Sequence, residues 1–204
     1  MSAAQWDQRY AGAHFHYGTE PNAWLRSTTW RLPRRGTALA VADGEGRNGV
    51  WLARQGLDTT SLDQSGAGLA KARHLAAQHG VTLRTVQADL AEWVWPEAAF
   101  DVIASIYVHL PDALRQRSHS GIARALRPGG LLIVEAFTPE QLAYSSGGPK
   151  DPALLYTEPM LRADFNALEL LEVLVGEVTL DEGAGHRGPG RVLRLLARRR
   201  PHSD

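Results

Sequence analysis

Residues 43–49 read Asp-Gly-Glu-Gly-Arg-Asn-Gly, a G-x-G-x-x-G run, and its setting constrains this chain more than any other feature. Thr37–Ala42 before it is a short apolar run that reads as a strand, and Asn48–Gln55 after it reads as a helix. Glycines in a strand-to-helix turn bring the backbone close to a ligand and leave the helix's first N–H groups available. Asp63 ends the next strand, Thr59–Asp63, 19 residues after Gly44, at the distance where an acid meets ribose hydroxyls. Strand, glycine turn, helix and acid together point to an adenosine-containing ligand.

The alternation continues. A helix over Gly66–His79 is closed by Gly80 as C-cap, Leu83–Gln87 and Phe100–Ile106 read as strands, and Pro111 opens a helix through Leu126 that stops at Pro128-Gly129-Gly130. Leu131–Glu135 is the fifth strand. Strands alternating with helices predict an α/β parallel sheet wrapped by helices. The ends differ. Residues 1–35 hold three of the six tryptophans and two helical patterns, 138–157 read as a loop, and Leu168–Leu180 and Arg191–Arg198 read as strands joined by residues 181–190. So short a connection permits only antiparallel pairing. One domain over 1–204 is expected: a helical cap (1–35), a cofactor-binding core (36–137), and a substrate-side loop with the terminal hairpin (138–204).

Composition removes several functions. With 22 Lys+Arg against 22 Asp+Glu, no long-range field draws in nucleic acid or an acidic membrane. The absence of cysteine removes thiolate nucleophiles, cysteine-ligated zinc and disulfides. The N-terminus lacks the basic start and apolar stretch of a secretory signal, and no 18-residue apolar run occurs, so a cytoplasmic protein is expected. His14-x-His16 has chelating spacing but no third ligand, and no metal site is predicted. Trp93 and Trp95 read as core and pocket rim, and Arg198-Arg199-Arg200 as a solvated tail.

The turn itself discriminates between adenosine ligands. A pyrophosphate at the helix N-terminus would meet Asp43 and Glu45, whose repulsion offsets the ~0.3–1 kcal/mol a helix end offers an anion. A ligand bearing an ammonium and a sulfonium suits these carboxylates better, as S-adenosylmethionine does. Neither lysine, Lys71 or Lys150, lies four residues after a tyrosine, so the Tyr-x-x-x-Lys dyad of short-chain dehydrogenases is absent.

From Ala38 to Phe137 the sequence resembles a class I S-adenosylmethionine-dependent methyltransferase. The glycine turn, Leu62-Asp63-Gln64-Ser65, Gln87-Ala88-Asp89-Leu90, Phe100-Asp101-Val102-Ile103 and Leu126-Arg127-Pro128-Gly129-Gly130 stand in that family's order. Ala42–Asn48 with Ile106-Tyr107-Val108-His109-Leu110-Pro111, and the N-terminal Trp6-Asp7-Gln8-Arg9-Tyr10 and Tyr17–Asn22, look like the tellurite-resistance and thiopurine methyltransferase-like branch. The resemblance implies a Rossmann-like sheet of seven strands, ordered 3-2-1-4-5-7-6 with strand 7 antiparallel and helices on both faces. It also implies that Gly44 and Gly46 approach the methionine part of the cofactor and that Asp63 holds the ribose. Asp89 and the Leu90 backbone would take the adenine, with Ser105 and Ile106 facing the methionine moiety. Arg9, Tyr17, Asn48 and Gln64 complete the candidate set. Ala40 stands where most of the family has an acid, Ala42 replaces the first glycine of the usual turn, and Asp43 is the carboxylate nearest in sequence.

Methyl transfer needs nucleophile, methyl and sulfur in line with water excluded. A thiolate, selenide or tellurium oxyanion needs no protein base, whereas an amine or hydroxyl does. Tyr107, His109 and His186 are the catalytic candidates, each with a structural alternative: packing under the next helix, a ring bonded to backbone, or an ordinary loop histidine. The expected function is methyl transfer to a small molecule by a monomer or homodimer. Its rivals are a regulatory protein that binds the cofactor without turnover, suggested by Ala40 and Ala42, and a nicotinamide-dependent oxidoreductase, suggested by the glycine spacing alone.

Overall fold

In the computed structural model, which describes residues 1–201, seven strands form one sheet ordered β3-β2-β1-β4-β5-β7-β6. The strands are β1 (Thr37–Val41), β2 (Asp58–Asp63), β3 (Leu83–Gln87), β4 (Phe100–Ile106), β5 (Leu126–Phe137), β6 (Glu169–Glu182) and β7 (His186–Arg198). β1 to β5 run parallel, and β7 lies antiparallel between β5 and β6. This is the predicted seven-stranded order. The helices are α1 (Ala3–Tyr10), α2 (Ala23–Ser27), α3 (Arg47–Arg54), α4 (Gly66–Gln78), α5 (Asp112–Ala125) and α6 (Glu158–Asp164).

The period-2 alternation of the strands builds two cores. Leu39, Val41, Leu62, Ile103, Leu132 and Val134 point to the face covered by α5 and α6, where Ile122, Leu161 and Phe165 meet them. Ala38, Ala40, Val102, Ala104 and Ile133 point to the other face, against Trp24 and Leu25 of α2 and Trp51 and Leu52 of α3. Small alanines on this second face let the tryptophans lie close to the sheet.

Two expectations shift at strand ends. Pro128-Gly129-Gly130 stops α5 as predicted, yet the chain re-enters the sheet at once, so β5 begins at Leu126 and bulges between the pairs Phe100↔Leu126 and Val102↔Leu131. Gly129, left-handed at φ 81, shapes the bulge and donates its N–H to the Arg199 carbonyl. The connection expected over 181–190 is only Gly183-Ala184-Gly185, because β7 already pairs through Gly188, Pro189 and Gly190. Pro189 lacks a donor, and it is tolerated because β5 pairs with β7 only from Val192 onward. The predicted loop 138–157 holds two 3-10 turns, Pro139–Ala143 and Pro152–Leu154.

Candidate active site

The strand order reverses between β1 and β4, and an open parallel sheet has its ligand crevice at such a point, outside the carboxyl ends of the strands. Backbone strain concentrates there. Ala42, one residue past β1, has φ 47, and Tyr107, one residue past β4, has φ 56. A side chain in the left-handed region costs of order 1–3 kcal/mol and persists where its surroundings impose it. Ala42 is exposed, whereas residues 43–50 behind it are all buried.

Beyond Ala42, the carboxyl ends of β2 and β3 supply two acids. Asp63 accepts from the Gly44 N–H (2.8 Å, Oδ2) and the Ser65 N–H (2.8 Å, Oδ1), which fixes it beneath the glycine turn with 7% exposure. Burial raises its pKa against the pull of these N–H groups. Asp89 is exposed, and its Oδ1 accepts from the Ala91 N–H. Leu90 and Ser105 are buried, as is Ile106 at the end of β4. Gln64 is half-buried, with its amide near the Met1 carbonyl (3.4 Å). Ala42, Asp63, Asp89 and Ser105 therefore stand at the ends of four strands, as the sequence order predicts, and acids with no lysine or arginine bonded to them suit a diol, an amino group and a cationic ligand.

Other members of the candidate set face elsewhere. A Cβ on Gly44 would meet the Tyr10 hydroxyl at 2.6 Å, and one on Gly46 would stand 2.4 Å from the Ala72 Cβ. These two glycines thus admit α1 and α4 to the turn. Asp43 turns its carboxyl away from the crevice, to the Gly49 N–H (3.1 Å) and the Ser61 hydroxyl (2.8 Å). Asn48 accepts from the Asn22 N–H (3.0 Å), tying α3 to the start of α2. Arg9 lies over the Trp6 ring and donates to the Tyr17 hydroxyl at 3.3 Å.

The N-terminal cap is fastened to the cofactor side by carboxylates. Asp7 accepts from the Ser65 hydroxyl and the Ala67 N–H, capping α4 from outside its own chain segment. Glu45, on the glycine turn, accepts from the His16 N–H (2.7 Å) and from Lys71 Nζ (2.7 Å), which also reaches the His14 carbonyl.

Past β4 lies a network the sequence did not show. Glu135, with no exposed surface, accepts from the Tyr107 hydroxyl (2.5 Å), Asn22 Nδ2 (2.7 Å) and Arg194 Nε. Glu182 at the hairpin tip accepts from Asn22 Nδ2 (2.9 Å) and Arg47 Nη2 (2.6 Å). Burial opposes its ionisation, but the nearby His186 ring and the Arg47 guanidinium bonded to it outweigh that and hold Glu182 down at about 2. The one available signal was the charge closing the apolar run Leu131–Glu135; Glu182, in a polar turn, gave none.

The three catalytic candidates meet here. His186 packs its ring against Tyr17 (4.6 Å between centroids) and Tyr107 (4.5 Å). Its Nδ1 stands 3.8 Å from Glu182 Oε2, too far for a hydrogen bond, so that nitrogen is buried without a partner. Burial lowers the His186 pKa and raises that of Tyr107 well above its ordinary value. Tyr107 stacks on Phe137 with centroids 4.6 Å apart. His109 is committed at both nitrogens: Nδ1 donates to the Leu154 carbonyl (2.7 Å) and Nε2 accepts from the Phe137 N–H (3.2 Å), while burial pushes its pKa down to about 4. Among the described residues no group of three His, Asp or Glu stands together to hold a metal ion, and no helix is long and apolar enough to cross a membrane.

Residues 38–130 match the methyltransferase domain family. A curated relative, the uncharacterized methyltransferase YbaJ of Bacillus subtilis (strain 168), is 32% identical over 110 residues, which are 51% of this chain and 42% of YbaJ. This chain therefore spans about two fifths of that relative's length. TehB from Haemophilus influenzae shares the fold with a TM-score of 0.70 at 20% identity, over 96% of this chain and 66% of TehB. So does the N-methyltransferase NodS from Bradyrhizobium japonicum WM9, solved in complex with S-adenosyl-L-homocysteine, at 0.70 and 15% identity over 98% of this chain and 99% of NodS. Sequence match and fold agree: residues 38–130 match a methyltransferase domain, and the chain shares its fold with the solved N-methyltransferase NodS.

Proposed function

We propose that this chain transfers the methyl group of S-adenosylmethionine to a small-molecule acceptor whose attacking atom is soft and arrives already ionised: a thiolate, or a selenium or tellurium oxyanion. The observation that carries the soft acceptor is the state of the candidate bases. His109 is bonded at both nitrogens, the Tyr107 hydroxyl donates to Glu135, and His186, though it keeps an unpartnered nitrogen, lies packed among rings. An amine or hydroxyl acceptor would have to lose a proton to one of them; a soft anion has none to lose. The resemblance of Ala42–Asn48 and Ile106–Pro111 to the tellurite-resistance branch supports this acceptor class, and the chain shares its fold with TehB.

When bound, the cofactor supplies an electrophilic methyl group on a sulfonium. The protein's part is binding and alignment. In this reading Asp63 accepts from the ribose hydroxyls, Asp89 and the Leu90 backbone take the adenine amino group, and the exposed Ala42 and the Ser105–Ile106 strand end border the methionine moiety. Gln64 stands beside the ribose, while Gly44, Gly46, Asn48 and Asp43 shape the turn, and Arg9 and Tyr17 belong to the cover that excludes water. His186 and Tyr107 wall the acceptor side. The same reading has the chain act as one domain, a monomer or homodimer, in the cytoplasm and without nucleic acid. The test is incubation with methyl-labelled S-adenosylmethionine and a panel of thiols, selenite, tellurite, amines and phenols. Label on the soft acceptors is expected. Label confined to amines or phenols would overturn the acceptor class, and cofactor binding without any product would favour the regulatory alternative.

A further inference from the structure

Asp43 is the one ionisable residue of the glycine turn that faces neither the cap nor the crevice. Its own backbone closes the turn, the N–H donating to the Leu62 carbonyl (3.1 Å) and the carbonyl accepting from the Gly46 N–H (3.0 Å). Its carboxyl fills a space left by three other residues. A Cβ on Gly49 would stand 2.4 Å from Asp43 Oδ2 and 3.5 Å from the Ala40 methyl, and the Ser61 hydroxyl donates to the same oxygen. Gly49 in α3, Ala40 in β1 and Ser61 in β2 thus enclose the group, and Leu83 of β3, 3.4 Å from that same Cβ position, closes the fourth side. A carboxyl so placed couples α3's first turn to β2 and sets the shape of the backbone between Ala42 and Gly46.

No cation is bonded to it. The charged groups that act on Asp43 are Asp63, whose charge opposes ionisation, and Arg47, whose charge favours it but whose guanidinium is bonded to Glu182 (2.6 Å). Asp63 holds the other side of the same turn through the Gly44 N–H, so two acids bracket one turn without a cation between them. Burial pushes Asp43 up to about 7, which leaves it largely protonated below neutral pH. A ligand that brings positive charge to this turn favours the ionised form of the nearby carboxyl, and by linkage the ionised carboxyl favours the ligand.

We propose that Asp43 is a positioning residue for the cofactor turn and that its carboxyl gives up a proton when the cationic cofactor binds. The inference rests on the S-adenosylmethionine reading above. The O–H bond of the neutral carboxyl breaks, the proton passes to the buffer, and the carboxylate stays in place, accepting from the Gly49 N–H and the Ser61 hydroxyl.

The test is calorimetric titration of the full chain with S-adenosylmethionine at several pH values from about 5.5 to 6.8, below the range in which an α-amino group titrates, in two buffers of different ionisation enthalpy. The wild type is expected to release roughly half a proton or more on binding, with affinity rising about fivefold across the range. Asp43→Asn should bind without that release and with a flat profile. Ser61→Ala keeps the carboxyl and removes a donor that favours its ionised form, so its affinity profile should move to higher pH; this variant serves if Asp43→Asn fails to fold. Binding by the wild type without proton release, or an unchanged profile in Asp43→Asn or Ser61→Ala, overturns this inference alone. No binding at any pH overturns it together with the cofactor reading.

Discussion

Ala42 and Tyr107 leave neighbouring strands in the same left-handed conformation, at φ 47 and 56, Ala42 one residue beyond Val41 and Tyr107 two beyond Ser105, the last pair that joins β1 to β4. The two strained residues mark the crevice at the switch point. At Ala42 nothing but a methyl group stands in the way of a glycine, so Ala42→Gly should relieve the strain, net of glycine's greater chain entropy, and raise the unfolding free energy by about 0.5–1 kcal/mol. Urea unfolding of the two proteins checks this, and a destabilised glycine variant would show that the alanine's conformation is not strained.

His109 gives a pH dependence of known sign. Its neutral form is bonded at both nitrogens in the folded protein, where its pKa is about 4 against an ordinary 6.5. Above pH 6.5 both folded and unfolded chains hold it neutral, and its contribution is fully present. As pH falls from 6.5 to 4, only the unfolded chain takes up the proton, and stability of up to about 3 kcal/mol is lost. His109→Gln should flatten the dependence of unfolding free energy on pH in this window. A variant whose curve runs parallel to the wild type would assign the loss to other groups.

Glu182 gives a dependence of the same sign in a lower window, although there it is the charged form that the fold holds. It is charged in the folded protein down to about pH 2, so its contribution is present above about 4.5 and falls away as pH drops from there towards 2. Glu182→Gln leaves Arg47 buried without its partner, and breaking such a pair costs about 3–5 kcal/mol. Because Glu182 also accepts from Asn22, the loss should include docking of the chain before α2. Thermal unfolding and faster amide exchange around Asn22 would read both effects; a cost below about 1 kcal/mol would mean the pair contributes no more than a surface bridge.

Asp63→Ala should weaken cofactor binding by about 2–4 kcal/mol, through two charge-assisted bonds to the ribose. It also frees the Gly44 and Ser65 N–H groups, so the variant's folding should be measured beside its affinity. Unchanged affinity for S-adenosyl-L-homocysteine in a folded Asp63→Ala protein would move the ribose elsewhere.

What could be read in advance followed from local patterns. Leu83–Gln87 and Phe100–Ile106 lie where the sequence puts them because apolar runs bounded by turn residues specify strands directly. The ends of β5 and β7 were less legible because Gly and Pro read as breaks, whereas the sheet absorbs Gly129 in a bulge and Pro189 beyond the reach of β5. Within the site, spacing placed Asp63 at a strand end but carried no direction for the Asp43 side chain, which depends on the room left by Gly49 and Ala40. The meeting of Glu135, Glu182, Arg47 and Asn22 joins segments up to 160 residues apart, and no local pattern encodes it.

Calorimetric titration of the full chain with S-adenosyl-L-homocysteine tests the central claim most directly. One molecule bound per chain in the micromolar range, with affinity reduced in Asp63→Ala, is the predicted result. No binding by the folded wild type, or tighter binding of NADH than of S-adenosyl-L-homocysteine, would contradict it.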